Sequence, residues 1–413
     1  MPAALLTLAH GMPASHWLLW ARRGVAALPL LIWIYLLTAR GGFWRVARLL
    51  NPYQPAADSP PLRRSGQARH VVAIIPARNE AASIGDTVLS LLRQDFDGSL
   101  HLIVVDDGST DDTVALAVAA AEGLGASARL SVLRGAPLFR GWTGKLWALR
   151  QGVQAAGLLE PDYLLLTDAD IYHERTSVAG LVANAEAEQR DLVSYMVKLS
   201  TDSFAERWLI PAFVFFFFKL YPPRWAASAR SSVAAAAGGC VLLRPSALLR
   251  IGGLAAIRSE IIDDCALAAA VKRSGGKLWL GLTQSAWSLR RYGSFAEIGS
   301  MISRTAFNQL RHSWLLLLAT LLGLAITYLL PPLLLFSHDP LSVSFGALAW
   351  LLMSLCYLPM VRFYGLSPAW CVGLPVVAVF YAGATLHSAL RYAAGRGGSW
   401  KGRVQDLGTK RST

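Results

Sequence analysis

VVAIIPARNE, residues 71–80, opens as a continuous apolar and β-branched run and closes on polar residues. A run of that kind marks a strand buried on both faces. A helical pattern from Ala81 to Arg93 follows it. The unit then recurs: His101–Val105 reads as a strand, Asp106–Asp112 as a polar turn and Thr113–Ala121 as a helix. Leu130–Leu133 is a third strand, and Tyr163–Thr167 a fourth that ends at Asp168-Ala169-Asp170. Strands alternating with helices predict an α/β fold built on a mostly parallel, doubly wound sheet. Ligands of such sheets bind at the carboxyl ends of the strands. Asn79-Glu80, Asp106-Asp107 and Asp168–Asp170 all fall there. One acidic cluster would mean little, because Asp also caps helices. Three at successive strand ends predict a site.

Asp168 and Asp170 stand two residues apart on a segment leaving a strand. Hard divalent ions prefer carboxylate oxygens, and Mg²⁺ or Mn²⁺ is usually held by one or two of them plus substrate phosphates. The pair therefore reads as a metal and phosphate site. A bare DxD is weak alone, and its place after a buried strand and VVDDGST gives it force. No GxxxxGK[ST] stretch is present, which disfavours a P-loop nucleotidase.

The whole chain is too apolar for an ordinary soluble enzyme. Its 413 residues are 54% hydrophobic and 16% charged, with a net charge of +13 and a mean hydropathy of +0.41. Positive charge beside hydrophobic runs suits an anionic leaflet better than nucleic acid. The soluble part also lacks a basic stripe with interleaved aromatics. Cys240, Cys265, Cys356 and Cys371 have no metal spacing and read as small hydrophobes.

Val25–Thr38 with Trp17–Trp20 before it is long enough for an N-terminal anchor, though Arg22 and Arg23 interrupt it. A cleaved signal peptide competes, but no small-residue cleavage site is evident. Trp314–Phe336, Val343–Val361 and Trp370–Leu390 are further spans. Arg40, Arg45, Arg48, Arg63, Arg64 and Arg69 place the region after the anchor on the cytoplasmic side. Arg391, Arg396, Lys401, Arg403, Lys410 and Arg411 argue for a tail on that same side. Three full spans would put it on the other, so one segment is re-entrant or the count is off. The expected organisation is an anchor (1–40), a basic linker (41–70), a catalytic domain (71–292), an amphipathic connector (293–313), transmembrane helices (314–390) and a basic tail (391–413). Within the domain, FAERWLIPAFVFFFFKLY (204–221) is short for a span and bracketed by charges. It is expected to lie in the headgroup plane, with a buried core helix as the alternative.

IIPARNE, VVDDGSTDDT, GWTGKLWALRQG, LLLTDAD, GGCVLLRPSAL and IIDDCALAAAVKRSG occur in this order. The ordered set resembles the processive and lipid-linked inverting glycosyltransferases of family two, with the A-type fold, over roughly Val71 to Gly281. The resemblance implies that Pro76, Asn79, Glu80, Asp106 and Asp107 hold the nucleoside of a nucleotide-sugar, a UDP-sugar by default. Asp106 would meet the base, and Asp107 or Glu80 the ribose. It also implies Lys145 near the diphosphate, Asp168 at the nucleotide, Asp170 on the metal, and Gly238 and Gly239 at the acceptor entrance. In that family an acidic pair opens ED-x-x-L and its second member is the general base. Asp263-Asp264-Cys265-Ala266-Leu267 fits, which makes Asp264 the base and Asp263 its neighbour. A helix cap on Cys265–Arg273 is the plainer reading of both acids, and the two roles are compatible.

The polymer synthases of the family carry QxxRW before their channel helices. Here only Arg304 matches, an acceptor-region residue in Ser300–Thr305. ERWLIPAFVFFFFKLYPP and RTAFNQL look instead like bacterial hopene-associated glycosyltransferases, related to the ceramide glucosyltransferase type. That likeness implies a lipid acceptor, with a hopanoid among the candidates. A processive polysaccharide synthase is the alternative enzyme, and an inactive membrane scaffold or transporter-associated protein the alternative of another class. Intact carboxylate clusters weigh against the scaffold.

Overall fold

A computed structural model describes residues 14–53, 68–395, 399–400 and 403–404 of the 413-residue chain. Its centre is an eight-stranded sheet: β1 (Arg69–Ala77), β2 (Gly98–Asp106), β3 (Leu130–Arg134), β4 (Tyr163–Thr167), β5 (Ile171–His173), β6 (Leu192–Lys198), β7 (Cys240–Leu243) and β8 (Leu278–Ser288). The order is β3-β2-β1-β4-β7-β6-β8-β5. The predicted parallel half is present, since β1 pairs in parallel with β2 and β4, and β2 with β3. Beyond β4 the sheet is mixed. β7 runs antiparallel to both β4 and β6, and β5 antiparallel to β8.

The apolar run is continuous because β1 is covered on both faces. Val71, Ala73 and Ile75 enter one core with Leu102 and Leu165; Val72 and Ile74 enter the other with Val105 and Leu164. The helices framing the site are α1 (Ala14–Thr38), α2 (Gly144–Gly157), α3 (Phe204–Leu220), α4 (Asp263–Arg273), α5 (Phe295–Ser303), α6 (Trp314–Leu324), α7 (Pro340–Phe363) and α8 (Leu374–Ala393). Gly152 lets α2 lie close on β1, because a Cβ there would stand 2.4 Å from Ile74 Cγ2. No side chain larger than hydrogen fits.

Four segments are long and apolar enough to cross a membrane: Leu18–Thr38, Trp314–Leu334, Pro340–Phe363 and Pro368–Ala393. They pack as one body. Arg23, which interrupts the first apolar run, pairs with Asp339 at 2.8 Å, at the start of α7. Trp33 Nε1 donates to the Thr327 carbonyl at 2.9 Å, in a π-helical turn that follows α6. Of the basic flank, Arg40 donates to the Lys219 carbonyl, and Arg69 pairs with Asp162 and Glu186. Arg69 is therefore engaged with acids of its own domain. Arg63, Arg64, Arg396, Lys401, Lys410 and Arg411 lie outside the described residues, as do the Arg403 side chain and nearly all of the tail.

The segment expected in the headgroup plane is α3, and one side of it is core. Leu209, Ile210, Val214, Phe215 and Phe218 are buried with residues of α1, α7 and α8. Tyr381 of α8 donates to the Leu209 carbonyl at 2.9 Å. Phe213 and Phe217 are only half-buried, packing against the edge of that core.

Candidate active site

The carboxyl ends of β1 and β2 are stitched together by their own polar residues. Asn79 takes a left-handed φ of 52°, where its Oδ1 accepts from the Thr110 amide at 2.8 Å. Ser109 Oγ accepts from the Asn79 amide at 3.0 Å, and Asp106 Oδ1 accepts from the Ser109 amide at 3.0 Å. Arg78 faces Asp107, with Nη1 3.8 Å from its Oδ2. Short polar side chains tolerate and hold such turns, which is why the sequence is rich in them there.

Next to this edge opens a cleft of about 440 Å³. Pro76, Glu80, Lys145, Asp168, Asp170, Gly238, Gly239, Asp263, Asp264 and Arg304 all line it. The structure thus brings ten of the predicted residues together. Asn79, Asp106 and Asp107 stand at the neighbouring strand ends, outside that lining.

Thr167 fixes the strand end just before Asp168. Its hydroxyl donates to the Gly239 carbonyl at 2.9 Å, so its oxygen accepts from His173 Nε2, 3.0 Å away. Burial pushes His173 down to about 3, so the ring is neutral, with its proton on Nε2. Asp170 is raised to about 6, first by burial and then by the charges of Asp168 and Glu80, against the pull of Arg290 and Lys145. Crowded acids of this kind are relieved by a cation. Among the described residues no three His, Cys, Asp or Glu side chains form a protein-only metal cage. Two hard carboxylates facing open space fit Mg²⁺ or Mn²⁺ completed by substrate phosphates.

Asp263 and Asp264, in the same lining, occupy the first turn of α4. The helix begins two residues earlier than Cys265, so the acids sit inside it. Asp264 Oδ2 accepts from the Gly238 amide at 2.7 Å, and Oδ1 from the Cys265 amide at 2.7 Å. A side chain on Gly238 would press on this carboxylate, since its Cβ would lie 3.2 Å from Oδ2. Burial raises Asp264 to about 6, helped by the Asp263 charge and opposed by Lys145. That is a carboxylate basic enough to take a proton and ionised at neutral pH.

Part of the remaining wall, Phe213 and Phe217, comes from the 204–221 segment expected at the membrane surface, whereas Arg290 and Tyr292 carry no sequence signal of their own. Arg290, Tyr292, Phe213, Phe217, Met301 and Thr305 line the cleft beyond Asp170. Tyr292 is clamped at its backbone: its amide donates to Glu206 Oε1 at 2.6 Å, and its carbonyl accepts from Ser203 Oγ at 2.7 Å. Glu206 is fully buried, and its other oxygen takes the Ser203 amide and the Ser200 hydroxyl. The S-x-x-E capping spacing at 203–206 was the available signal. Nothing local announced its grip on Tyr292.

Residues 72–252 match the family model described as Glycosyl transferase family 2. That stretch, under half of the 413-residue chain, is similar to a glycosyltransferase family 2 domain. No curated protein matches the chain in sequence. Among solved structures it is similar to the mannosyltransferase PcManGT from Pyrobaculum calidifontis, in complex with GDP-Man and Mn²⁺. That likeness has 15% identity over 90% of this chain and 98% of the other, with a TM-score of 0.46. It is also similar to glucosyl-3-phosphoglycerate synthase from Mycobacterium tuberculosis, in complex with Mn²⁺ and UDP-glucose. There the identity is 20% over 60% of this chain and 84% of that one, with a TM-score of 0.39. In this chain the glycosyltransferase domain match covers β1 to β7, and Asp263 and Asp264 lie just past its end.

Proposed function

We propose that the chain is a membrane-bound inverting glycosyltransferase that moves one sugar from a nucleotide-sugar to a hydroxyl of a membrane lipid. A UDP-sugar is the donor the family resemblance favours. A cytoplasmic face of the inner membrane follows from the basic flanks. One observation carries the reading: a single cleft is lined both by the acids Asp168, Asp170, Asp263 and Asp264 and by Phe213, Phe217 and Met301, from elements packed on the apolar helices. A lipid hydroxyl could meet Asp264 there while its tail stays in the bilayer.

In the transfer, the acceptor hydroxyl gives its proton to the Asp264 carboxylate as its oxygen bonds to the anomeric carbon. The bond from that carbon to the phosphate oxygen breaks, and its electron pair leaves with the nucleoside diphosphate. Attack opposite the leaving group inverts the configuration. Asp168 and Asp170 would hold a divalent ion, which supplies neutralisation of the departing diphosphate. Lys145 adds a cation of the chain's own at that position. Pro76, Glu80, Asp106 and Asp107 would bind the nucleoside. A hopanoid acceptor rests only on the likeness of Glu206–Pro223 and Arg304–Leu310.

The test is incorporation of labelled sugar. Full-length protein in liposomes of bacterial lipid extract is given radiolabelled UDP-sugars and Mn²⁺, and the organic phase is counted. A labelled lipid with inverted anomeric configuration is expected. Label found only in free sugar or in a lengthening polymer would overturn the reading.

A further inference from the structure

A second cavity, of about 470 Å³, adjoins the cleft and shares Leu199 and Ser288 with it. A bulge in β8 makes it. Between Met196 and Lys198, a step of two residues on β6 is matched by a step of five on β8, from Leu282 to Trp287. The surplus residues loop out, held by a bond between the Thr283 and Ser285 hydroxyls at 2.8 Å, and Gln284 projects to solvent. Bulges next to sites re-aim side chains, and this one sets Trp287 beside Lys198.

The cavity holds unspent hydrogen-bonding capacity. Lys198, Glu174, Gln284 and Trp287 line it, and none of their side chains has a hydrogen-bond partner among the described residues. Lys198 and Arg291 are balanced by Glu174 and Asp202, so the lining selects neither an anion nor a cation. Tyr172 stacks on the Trp287 ring at 4.5 Å without lining the cavity, and Trp287 itself lines it. An aromatic surface ringed by donors and acceptors of both kinds suits a neutral, hydroxyl-rich ligand with apolar C–H faces. Two links place that ligand in the reaction. Leu289, also in the lining, donates its amide to the Asp170 carbonyl at 2.7 Å, and Lys198 Nζ lies 5.9 Å from the Phe363 ring at the end of α7. The cavity therefore sits between the metal-site strand and the end of a spanning helix.

We infer that this cavity is the subsite for a neutral polyhydroxylated headgroup of the acceptor lipid, with Trp287, Lys198 and Gln284 as its specificity residues. The inference rests on the lipid-acceptor reading and names the class of lipid. Transfer then occurs at one hydroxyl of a head that already bears several, so an earlier reaction must have installed that head on the hydrocarbon.

The experiment uses full-length protein and three synthetic lipids with one common tail: a bare primary alcohol, a glyceryl head and a glucosyl head. The wild type is expected to favour a polyhydroxylated head at least tenfold in kcat/KM. Trp287→Ala should bring that ratio close to one, chiefly through KM. Gln284→Ala, at an exposed position, serves as the second variant and should lower the ratio severalfold if the first does not fold. Equal use of all three lipids by the wild type would overturn the inference, as would equal loss on all three in both variants. Binding of soluble glycerol 1-ethyl ether and methyl glucoside is measured by titration in parallel. Binding that Trp287→Ala abolishes, without transfer to any lipid, would keep the subsite and sink the lipid-acceptor reading. Transfer to lipid without headgroup preference or binding would do the reverse.

Discussion

Lys145 Nζ lies 2.7 Å from Asp168 Oδ1, and the same ammonium reaches Asp263 Oδ2 at 3.7 Å. One cation thus joins the acid at the end of β4 to the acid pair at the start of α4. Burial alone would lower its pKa, but Asp168, Asp263 and Asp264 outweigh that and raise it, so it stays charged throughout the working range.

Removing that charge while keeping the stem isolates its part. Lys145→Met leaves the acids facing one another with no cation between them. The carboxyl of Asp264 should then ionise at higher pH, and transfer should fall on the order of 10²-fold. The pH–rate profile checks this. Its acid limb should move upward from the wild-type position, and an unmoved limb would leave Lys145 a donor-binding residue alone.

In the wild type the acid limb itself has a stated place. Asp264 is raised to about 6, so it is protonated below that pH and ionised above it. Activity should climb as pH rises through about 6 and then level off. Stability runs the other way, because the native state holds a proton that the unfolded chain releases near its ordinary value of about 4. Between those values stability should fall with rising pH; Asp264→Asn should remove its share of that slope, while Asp170, also raised to about 6, keeps its own. The same variant keeps the shape but takes no proton, so turnover should drop roughly 10²–10⁴-fold with donor affinity retained. Calorimetric titration of the donor separates the two effects.

At the other acid pair, Asp170→Ala should abolish tight Mn²⁺ binding in the presence of UDP. Transfer should fall by several kcal/mol of leaving-group stabilisation, roughly 10²–10⁴-fold in rate. Electron paramagnetic resonance of free Mn²⁺ reads the binding without relying on turnover. Full activity in excess chelator would remove the metal from the reaction.

The parallel half of the sheet was legible because β1 and β2 are buried on both faces, and a buried parallel strand writes an unbroken apolar run. The acid clusters were legible because strand ends in such a sheet lie together. Arg290, Tyr292 and Trp287 were not, since their places depend on the β8 bulge, whose register answers to β6, some ninety residues away in sequence. The sidedness of α3 was hidden for another reason. Both faces are aromatic, one for the core and one for the cleft, so no polar stripe marked which was which.

Glu206 offers a check on the unread wall. It is a buried carboxylate whose two oxygens serve three donors from two loops. Glu206→Gln would turn one acceptor into a donor facing donors, at about 1–3 kcal/mol of stability. The melting temperature should fall by several degrees, and KM for the acceptor should rise more than KM for the donor. Equal changes in both would make the residue a fold element without bearing on the acceptor wall.

The acceptor route itself is decided by three phenylalanines spaced two residues apart on α3, the middle one buried and the outer two lining the cleft. Phe215 is 1% exposed and packs edge-on to Tyr357 of α7, so Phe215→Ser is a core lesion worth about 3–5 kcal/mol. Phe213 and Phe217, one helical turn apart, are half-buried and line the cleft. Replacing both with Ser removes apolar surface from the path between bilayer and Asp264 while leaving the packed face of α3 intact. The double variant should keep most of its thermal stability. Its transfer to lipid should fall about tenfold or more relative to its hydrolysis of the donor, a reaction that needs no lipid. Phe215→Ser should instead lower both activities together as the protein loses its fold. If the double variant behaves like Phe215→Ser, or like the wild type, lipid does not travel along this face of α3.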